Sequence, residues 1–377
     1  MRMTLAISVV GAVKRGGEST SIGLVDYLQR HAEVEVLAGG PFPAPHSVNL
    51  GFPPLPVYQR LYENSSPALQ RWIRRFHADP LSIRNLLFCR RVSHHVRQRP
   101  PDLLIFRSVG PWGVKAGRHL RQALNLPFAT IEGGWKKGER ETARYHPNLH
   151  IAVNMDVADY LQRQLPEVRI ECLPNGIQTS CYDPAGPAAK IDLPRPIFMG
   201  CGELSDVKRF DLAIQAVAKL PQGSLYLLGH GPLESKLRKL GASLLGDRFR
   251  IGSVDYEQMP SYYRGADVIT VPSSGESFGM VYLEAMACNK PVVATRDRNR
   301  VYLVGDGGEL VDPAYVENYA AALQRVATTD YRDRPRRQAE LFDWENVGPR
   351  YLAAFQSVLN EYRQQGKAFP VFRNMGD

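Results

Sequence analysis

The stretch from Val271 to Arg296, VPSSGESFGMVYLEAMACNKPVVATR, constrains the chain most. It reads as the end of a strand and a loop, Pro272-Ser273-Ser274-Gly275, then a helix from about Gly279 to Cys288 and a buried strand from Pro291 to Thr295. Glu276 and Glu284 have seven residues between them, so they occupy different kinds of position. Glu276 falls in the loop ahead of the helix. Glu284 falls inside the helix, where a charge is costly unless it is exposed or paired. Phe278, Gly279 and Met280 offer first-turn amides, donors suited to an anion. On spacing alone, a helix with two solvated glutamates explains the pattern equally well. A loop carboxylate, a helix N-terminus and an inward carboxylate together suit a ligand that is half sugar and half phosphate.

The chain has 377 residues, enough for two domains of ordinary size. With 44% hydrophobic and 23% charged residues it has the composition of a soluble globular protein. No run approaches the ~18 apolar residues of a membrane span. The N-terminus, MRMTLAISVVGAVKRGG, has the arginine and short apolar run of a signal peptide but no small-residue cleavage site. A strand followed by a glycine loop explains it better. The five cysteines are scattered and lack metal-ligand spacing, which predicts reduced thiols in a cytoplasmic protein. The net charge of +9 is uneven, with roughly +8 in residues 1–185 and roughly +1 in the rest. A phosphorylated substrate or an anionic membrane would account for this. No nucleic-acid motif accompanies the charge, so nucleic acid is not expected as a partner.

Residues 4–11 read as a first strand, and Lys14-Arg15-Gly16-Gly17 as a glycine turn before a helix running to Arg30. Such a turn brings backbone amides to a phosphate or sugar, although a plain strand-to-helix turn is the alternative. The full G-x-G-x-x-G dinucleotide fingerprint is absent. A second strand spans Val34 to Ala38 and a proline-rich irregular region follows. Gln59 to Arg99 is basic and helical in pattern. Within it Trp72, Ile73 and Phe76 lie among Arg71, Arg74 and Arg75, as aromatic and basic residues mix in interfacial helices. The competing reading puts Trp72 in the core and the arginines in water.

Strands are expected at Asp102–Ser108, Pro127–Glu132 and His150–Asn154. Glu132 precedes Gly133-Gly134-Trp135, where its carboxylate either binds a hydroxyl or assists a proton transfer, or pairs with Lys136 or Lys137. Asp183 to Pro196 is rich in Pro, Ala and Gly and reads as a linker. A second α/β unit begins at Pro196, with strands at Ile197–Gly200, Leu225–Leu228, Phe249–Ser253 and Val268–Val271 and a helix from Asp206 to Lys219. The loop Arg296-Asp297-Arg298-Asn299-Arg300 puts three arginines either on phosphates or in solvent. A long amphipathic helix from Trp344 to about Gln365 ends the chain.

The segment ESFGMVYLEAMACNKPVVA resembles the glutamate-seven-glutamate signature of family-4 retaining glycosyltransferases of GT-B fold. The likeness extends to Leu173-Pro174-Asn175-Gly176-Ile177, to GCGELSDVKRFDLAIQA and to Gly229-His230-Gly231-Pro232. The resemblance implies two Rossmann-like domains facing a central cleft. An acceptor domain would span residues 1–185 and a nucleotide-sugar domain 186–348, with 349–377 forming a helix that returns to the first domain. It also implies hexosyl transfer with retention from a nucleoside-diphosphate sugar, a UDP-sugar favoured and a GDP-sugar the alternative, with no metal or other cofactor required. The acceptor would be a glycan, a lipid-linked molecule or a small molecule. The chain would be cytoplasmic, with attachment to the inner membrane face as an option.

By the same resemblance, Glu276 faces the donor sugar, Glu284 holds the ribose hydroxyls and Lys208 meets the diphosphate. Gly16, Gly17, Arg209, Val254, Ser277, Phe278, Gly279 and Met280 complete the donor site. Two positions depart from the family pattern. Glu203 stands where a base is usual, and a desolvated carboxylate there repels a diphosphate. Glu132 stands where a histidine is frequent. Glu203 keeps a non-catalytic sugar-nucleotide binder as an alternative, beside a GT-B enzyme of different reaction such as an epimerase. A phosphorylase lacks an identifiable pyridoxal lysine, and a nicotinamide oxidoreductase lacks its fingerprint.

Overall fold

The structure is a computed structural model and describes residues 1–8, 16–51, 56–76 and 79–364. Contacts divide the chain into two compact units, Met1–Val13, Ser21–Pro174 and Gly348–Asp377 in the first, Lys14–Thr20 and Asn175–Val347 in the second.

The first unit is built on seven parallel strands: β1 (Arg2–Ile7), β2 (Glu33–Ala38), β3 (Ser47–Asn49), β4 (Leu103–Arg107), β5 (Phe128–Glu132), β6 (Leu149–Ala152) and β7 (Ile170–Cys172). Their order is β3-β2-β1-β4-β5-β6-β7. Every residue of β4 is buried, as expected of a parallel strand covered on both faces. One core cluster joins Phe106 and Phe128 of the sheet to Phe88, Val92 and Val96 of the helix Pro80–Gln98. The first strand ends at Ile7, Ser8 lies beyond it, and residues 9–11 of the expected strand lie outside the described residues, as do Lys14 and Arg15. Gly16 and Gly17 are not in a turn: they open the helix Gly16–His31.

The basic region is three helices, Pro56–Glu63, Pro67–Arg75 and Pro80–Gln98. Ser66 and Asp79 cap the second and third, each with proline in the first turn, which breaks any continuous helix there. The core reading of Trp72 is wrong: the residue is 61% exposed. The final helix, Trp344–Gln364, joins the first unit from Gly348 onward. Tyr351 donates to the carbonyls of Leu173 and Pro174, and Phe355 is fully buried.

The second unit has six parallel strands: β8 (Ile197–Cys201), β9 (Ser224–Leu228), β10 (Phe249–Gly252), β11 (Val268–Val271), β12 (Val292–Thr295) and β13 (Gly308–Val311). The order β10-β9-β8-β11-β12-β13 reverses direction between β8 and β11. Ligands of open α/β sheets bind at such a reversal, beyond the carboxyl ends of the strands. The contact boundary precedes the expected linker, falling after Pro174. The reason is that Ile177 bridges to Asp343 and Thr179 donates to Asp343 through both its amide and its hydroxyl. The helix expected from Asp206 starts only at Phe210. Ser205 to Lys208 form a turn instead, and Arg209 follows in the left-handed region at φ 51°.

Candidate functional site

Lys208 and Glu276 meet at the carboxyl ends of β8 and β11. Lys208 Nζ donates to Glu276 Oε1 at 2.6 Å, with side chains 18% and 15% exposed. The reach depends on glycine. Gly202, just after β8, has φ +135°, and a Cβ there would lie 3.0 Å from Cε of Lys208. The lysine stem therefore crosses over a residue with no side chain. The Gly229-His230-Gly231 turn supports this segment from β9. The amide of Leu204 donates to the carbonyl of His230 at 2.8 Å, and that of Gly202 to Leu228 at 3.0 Å. A Cβ on Gly229 would lie 1.9 Å from the carbonyl oxygen of Gly202.

The loop carrying Glu276 leads into the helix Met280–Ala287, which begins at the last of the three residues expected to supply its first amides. Gly279 precedes it at φ +103°, and no side chain caps the helix. The Tyr282 ring lies where a Cβ of Gly279 would be. Ser277, Gly279 and Met280 are partly exposed, while Phe278 is buried. A half-buried ammonium, a half-buried carboxylate and an uncapped helix start thus share one strand reversal. The ammonium and the helix-start amides are donors that can hold an anion, and the carboxylate can accept from a hydroxyl.

Glu284 is not solvated. It is 4% exposed, and accepts from Tyr256 Oη at 3.0 Å and Tyr263 Oη at 2.7 Å. Burial pushes its carboxyl above the usual range, and the hydroxyls of Tyr263, Tyr256 and Tyr182 and the charge of Lys208 counter that rise. Tyr182 Oη in turn lies 3.0 Å from Tyr256 Oη. The solvated-helix reading of the two glutamates therefore fails for both.

Arg300 also differs from expectation, being 1% exposed and inside the helix Arg298–Val304. Its Nη2 donates to the carbonyl and hydroxyl of Ser273 at 3.0 and 2.9 Å, and its Nε to Tyr282 Oη at 3.1 Å. It also pairs with Asp297, the cap of its own helix. Arg300 pins the loop that presents Glu276. Arg296 and Arg298 are exposed. Sequence reasoning passed over the two tyrosines and this arginine as a clamp. The visible signal was an arginine within the apolar run RVYLV, three residues after a capping aspartate.

Glu203 is exposed, with no hydrogen-bonding or ionic partner for its side chain among the described residues. Arg209 is partly exposed, as is Val254 in the loop after β10.

In the first unit, Glu132 ends β5 and its Oε1 accepts from the Gly110 amide at 3.3 Å. Burial, then the neighbouring charge of Glu139, push its carboxyl up to about 8. The proposed pairing with Lys136 or Lys137 is not formed. Glu139, 2% exposed, accepts from the Gly134 amide at 2.7 Å, and its Oε2 is 3.3 Å from His150 Nε2. Arg107, at the end of β4, is buried and donates from Nε to Ser21 Oγ at 2.7 Å.

Residues 187–341 match the sequence profile of the family described as Glycosyl transferases group 1. D-inositol 3-phosphate glycosyltransferase of Mycolicibacterium smegmatis is 31% identical over 213 residues, 52% of this chain and 49% of that protein. The match thus spans about half the length of that curated relative. Among solved structures, sucrose-phosphate synthase from Thermosynechococcus elongatus superposes with a TM-score of 0.71 at 19% identity, covering 95% of this chain and 100% of that one. Anabaena Alr3699/HepE in complex with UDP gives 0.67 at 16% identity, with coverage of 95% and 100%. The fold is GT-B, with two Rossmann-like parallel-sheet domains.

Proposed function

We propose that this protein is a retaining hexosyltransferase that moves a sugar from a nucleoside-diphosphate donor, UDP by preference, to a hydroxyl acceptor. The observation that carries the reading is the Lys208–Glu276 pair at the strand reversal of the unit that matches the group 1 profile. The relative named as an inositol phosphate glycosyltransferase and the neighbour solved with UDP support it.

In this reading the diphosphate takes Lys208 as its counter-ion, together with the amides leading into the helix Met280–Ala287. Negative charge grows on the leaving phosphate as the glycosidic bond breaks, and the ammonium stabilises it most in the transition state. Glu276, released from Lys208, accepts hydroxyls of the donor sugar. Glu284 accepts from the ribose in exchange for its bond to Tyr256. The departing phosphate takes the acceptor proton on the same face, which gives retention. Gly16, Gly17, Arg209, Val254, Ser277, Phe278 and Gly279 line the donor, and Met280 supplies an amide. Glu132, in the first unit, binds a hydroxyl through a carboxyl that holds its proton near neutral pH. The acceptor is a glycan, a lipid-linked molecule or a small molecule, and the lipid-linked case accords with the surface described below.

Exposed Glu203, which makes no ion pair among the described residues, favours one other reading, a sugar-nucleotide binder without transferase activity. Incubation with a panel of radiolabelled UDP- and GDP-sugars separates the two. Slow release of free sugar from one donor, lost together with donor affinity in Lys208→Ala, is expected of the transferase. Binding of a donor without turnover, with or without candidate acceptors, leaves the binder. Unchanged turnover and affinity in Lys208→Ala would show that the donor site is elsewhere.

A further inference from the structure

The helix Pro67–Arg75 is amphipathic the wrong way round for a helix packed on a protein. Such helices turn their apolar stripe to the core and their polar face to water. Here none of the helical residues is buried. Leu69 is 46% exposed, Trp72 61% and Phe76, just past the last turn, 60%. Their spacing of three and then four residues puts them along one face. The Trp72 and Phe76 rings touch, with centroids 5.0 Å apart. The polar side does the anchoring. Gln70 Nε2 donates to the carbonyls of Tyr62 and Ser65 at 3.2 and 3.1 Å, and Arg74 donates from Nε to Tyr62 Oη. Four residues apart, Gln70 and Arg74 share the face that the fold holds, and the aromatic face turns outward.

The charges nearby are mostly basic. Arg71 and Arg75 are exposed and have no partner among the described residues. Arg60, on the preceding helix, is exposed too. The acids in the same region are already engaged: Glu63 accepts from Gln59, and Asp79 caps the next helix. A protein partner or a second copy of this chain would have to cover the aromatic face and also supply acids for these arginines. A bilayer with anionic headgroups does both at once. Aromatic side chains sit at headgroup depth, and basic side chains beside them meet the lipid phosphates. The helix is only ~14 Å long at 1.5 Å per residue, too short to span and the right form to lie in the interface. Among the described residues, no helix is long and apolar enough to cross a membrane.

We propose that the Leu69, Trp72 and Phe76 face of this helix, flanked by Arg71 and Arg75, docks the protein onto an anionic lipid bilayer. The inference rests on exposure and charge in the first unit and does not depend on the donor chemistry.

Flotation of the full chain with vesicles of phosphatidylcholine alone, and of phosphatidylcholine with phosphatidylglycerol, tests it. The protein should float with the anionic vesicles at low salt and less with the neutral ones. Raising the salt should weaken binding without abolishing it, because screening removes the charge term and leaves the apolar one. Arg71→Gln with Arg75→Gln should lower the partition coefficient on anionic vesicles roughly 25-fold, from the contribution of each basic residue at such a surface. Trp72→Ser with Phe76→Ser should abolish the salt-resistant part. Both pairs are exposed, so an unchanged thermal melt is expected and serves as the folding control. Protein left at the bottom of the gradient with both lipids at low salt overturns the proposal. So does a Trp72→Ser, Phe76→Ser variant that floats like the parent. Concentration-dependent dimerisation that this variant loses, without vesicle binding by the parent, would assign the face to a second copy instead.

Discussion

Glu284 and Glu132 are carboxyls held in opposite ways. Glu284 accepts two tyrosine hydroxyls, so its charge is partly compensated where it lies. Glu132 has one long bond from the Gly110 amide and the charge of Glu139 nearby, and its carboxyl is pushed up to about 8. The sign of the consequence follows from linkage. Between its ordinary value of 4.5 and about 8, the folded chain keeps a proton that the unfolded chain has lost. Folding stability from this residue therefore falls as pH rises through that window. Glu132→Gln keeps an acceptor for Gly110 and cannot ionise, so it should gain stability relative to the parent as pH rises from 5 to 8. Urea titrations at several pH values across that window would show it. A stability difference independent of pH would mean that the carboxyl titrates normally and is not held protonated.

At the level of elements, the segment after β8 is held by backbone rather than by side chains. Gly229, at φ +150°, sits directly against the Gly202 carbonyl. An alanine there meets main chain that cannot move aside, and the backbone angle is itself unfavourable. Gly229→Ala should cost about 3 kcal/mol or more and displace Lys208 from Glu276, weakening nucleotide binding along with stability. Thermal melts and calorimetry with UDP would report both, and a variant with normal stability and affinity would refute the account. Much of this architecture was legible beforehand. Strands such as LLIFR in β4 announce themselves because both faces are buried and every position is apolar or engaged. The glycine turn after β9 and the glutamate pair were visible for the same local reason. The edge strands β3 and β7 were missed, being three residues long and without a single fully buried position. The three-helix break in the basic region was signalled by Ser66-Pro67 and Asp79-Pro80 but was read through. What the local pattern could not carry was the contact between distant parts of the chain. Examples are Lys208 reaching Glu276, Tyr256 and Tyr263 closing on Glu284, and Arg300 locking the Ser273 loop.

At the scale of the whole molecule, the chain order and the units disagree, and this makes a prediction. The first unit is discontinuous: its sheet ends at β7, and its final helix arrives only after the entire second unit has been built. That helix is part of the core. Tyr351, Phe355, Val358 and Leu359 are all under 6% exposed. Arg169 ties the same helix to the sheet edge, donating to Glu361 at 2.8 Å and to Ser357 at 2.7 Å. At Gly348 a Cβ would fall 2.4 Å from the Tyr27 ring, so the backbone packs directly on it. Truncating Phe355 to alanine removes a fully buried aromatic and leaves a cavity, a loss of about 3–5 kcal/mol. That is a large share of the ~5–15 kcal/mol that holds an ordinary domain together. The loss should fall on the first unit, because the helix is buried there from Gly348 onward. Native-state hydrogen exchange reads it directly: amides of β4 and β5 should exchange faster in Phe355→Ala, while those of β8 and β11 keep their protection. Unchanged protection in β4 and β5 would mean that the final helix is a passenger on a core already complete without it. Equal loss in all four strands would mean that the two units unfold as one.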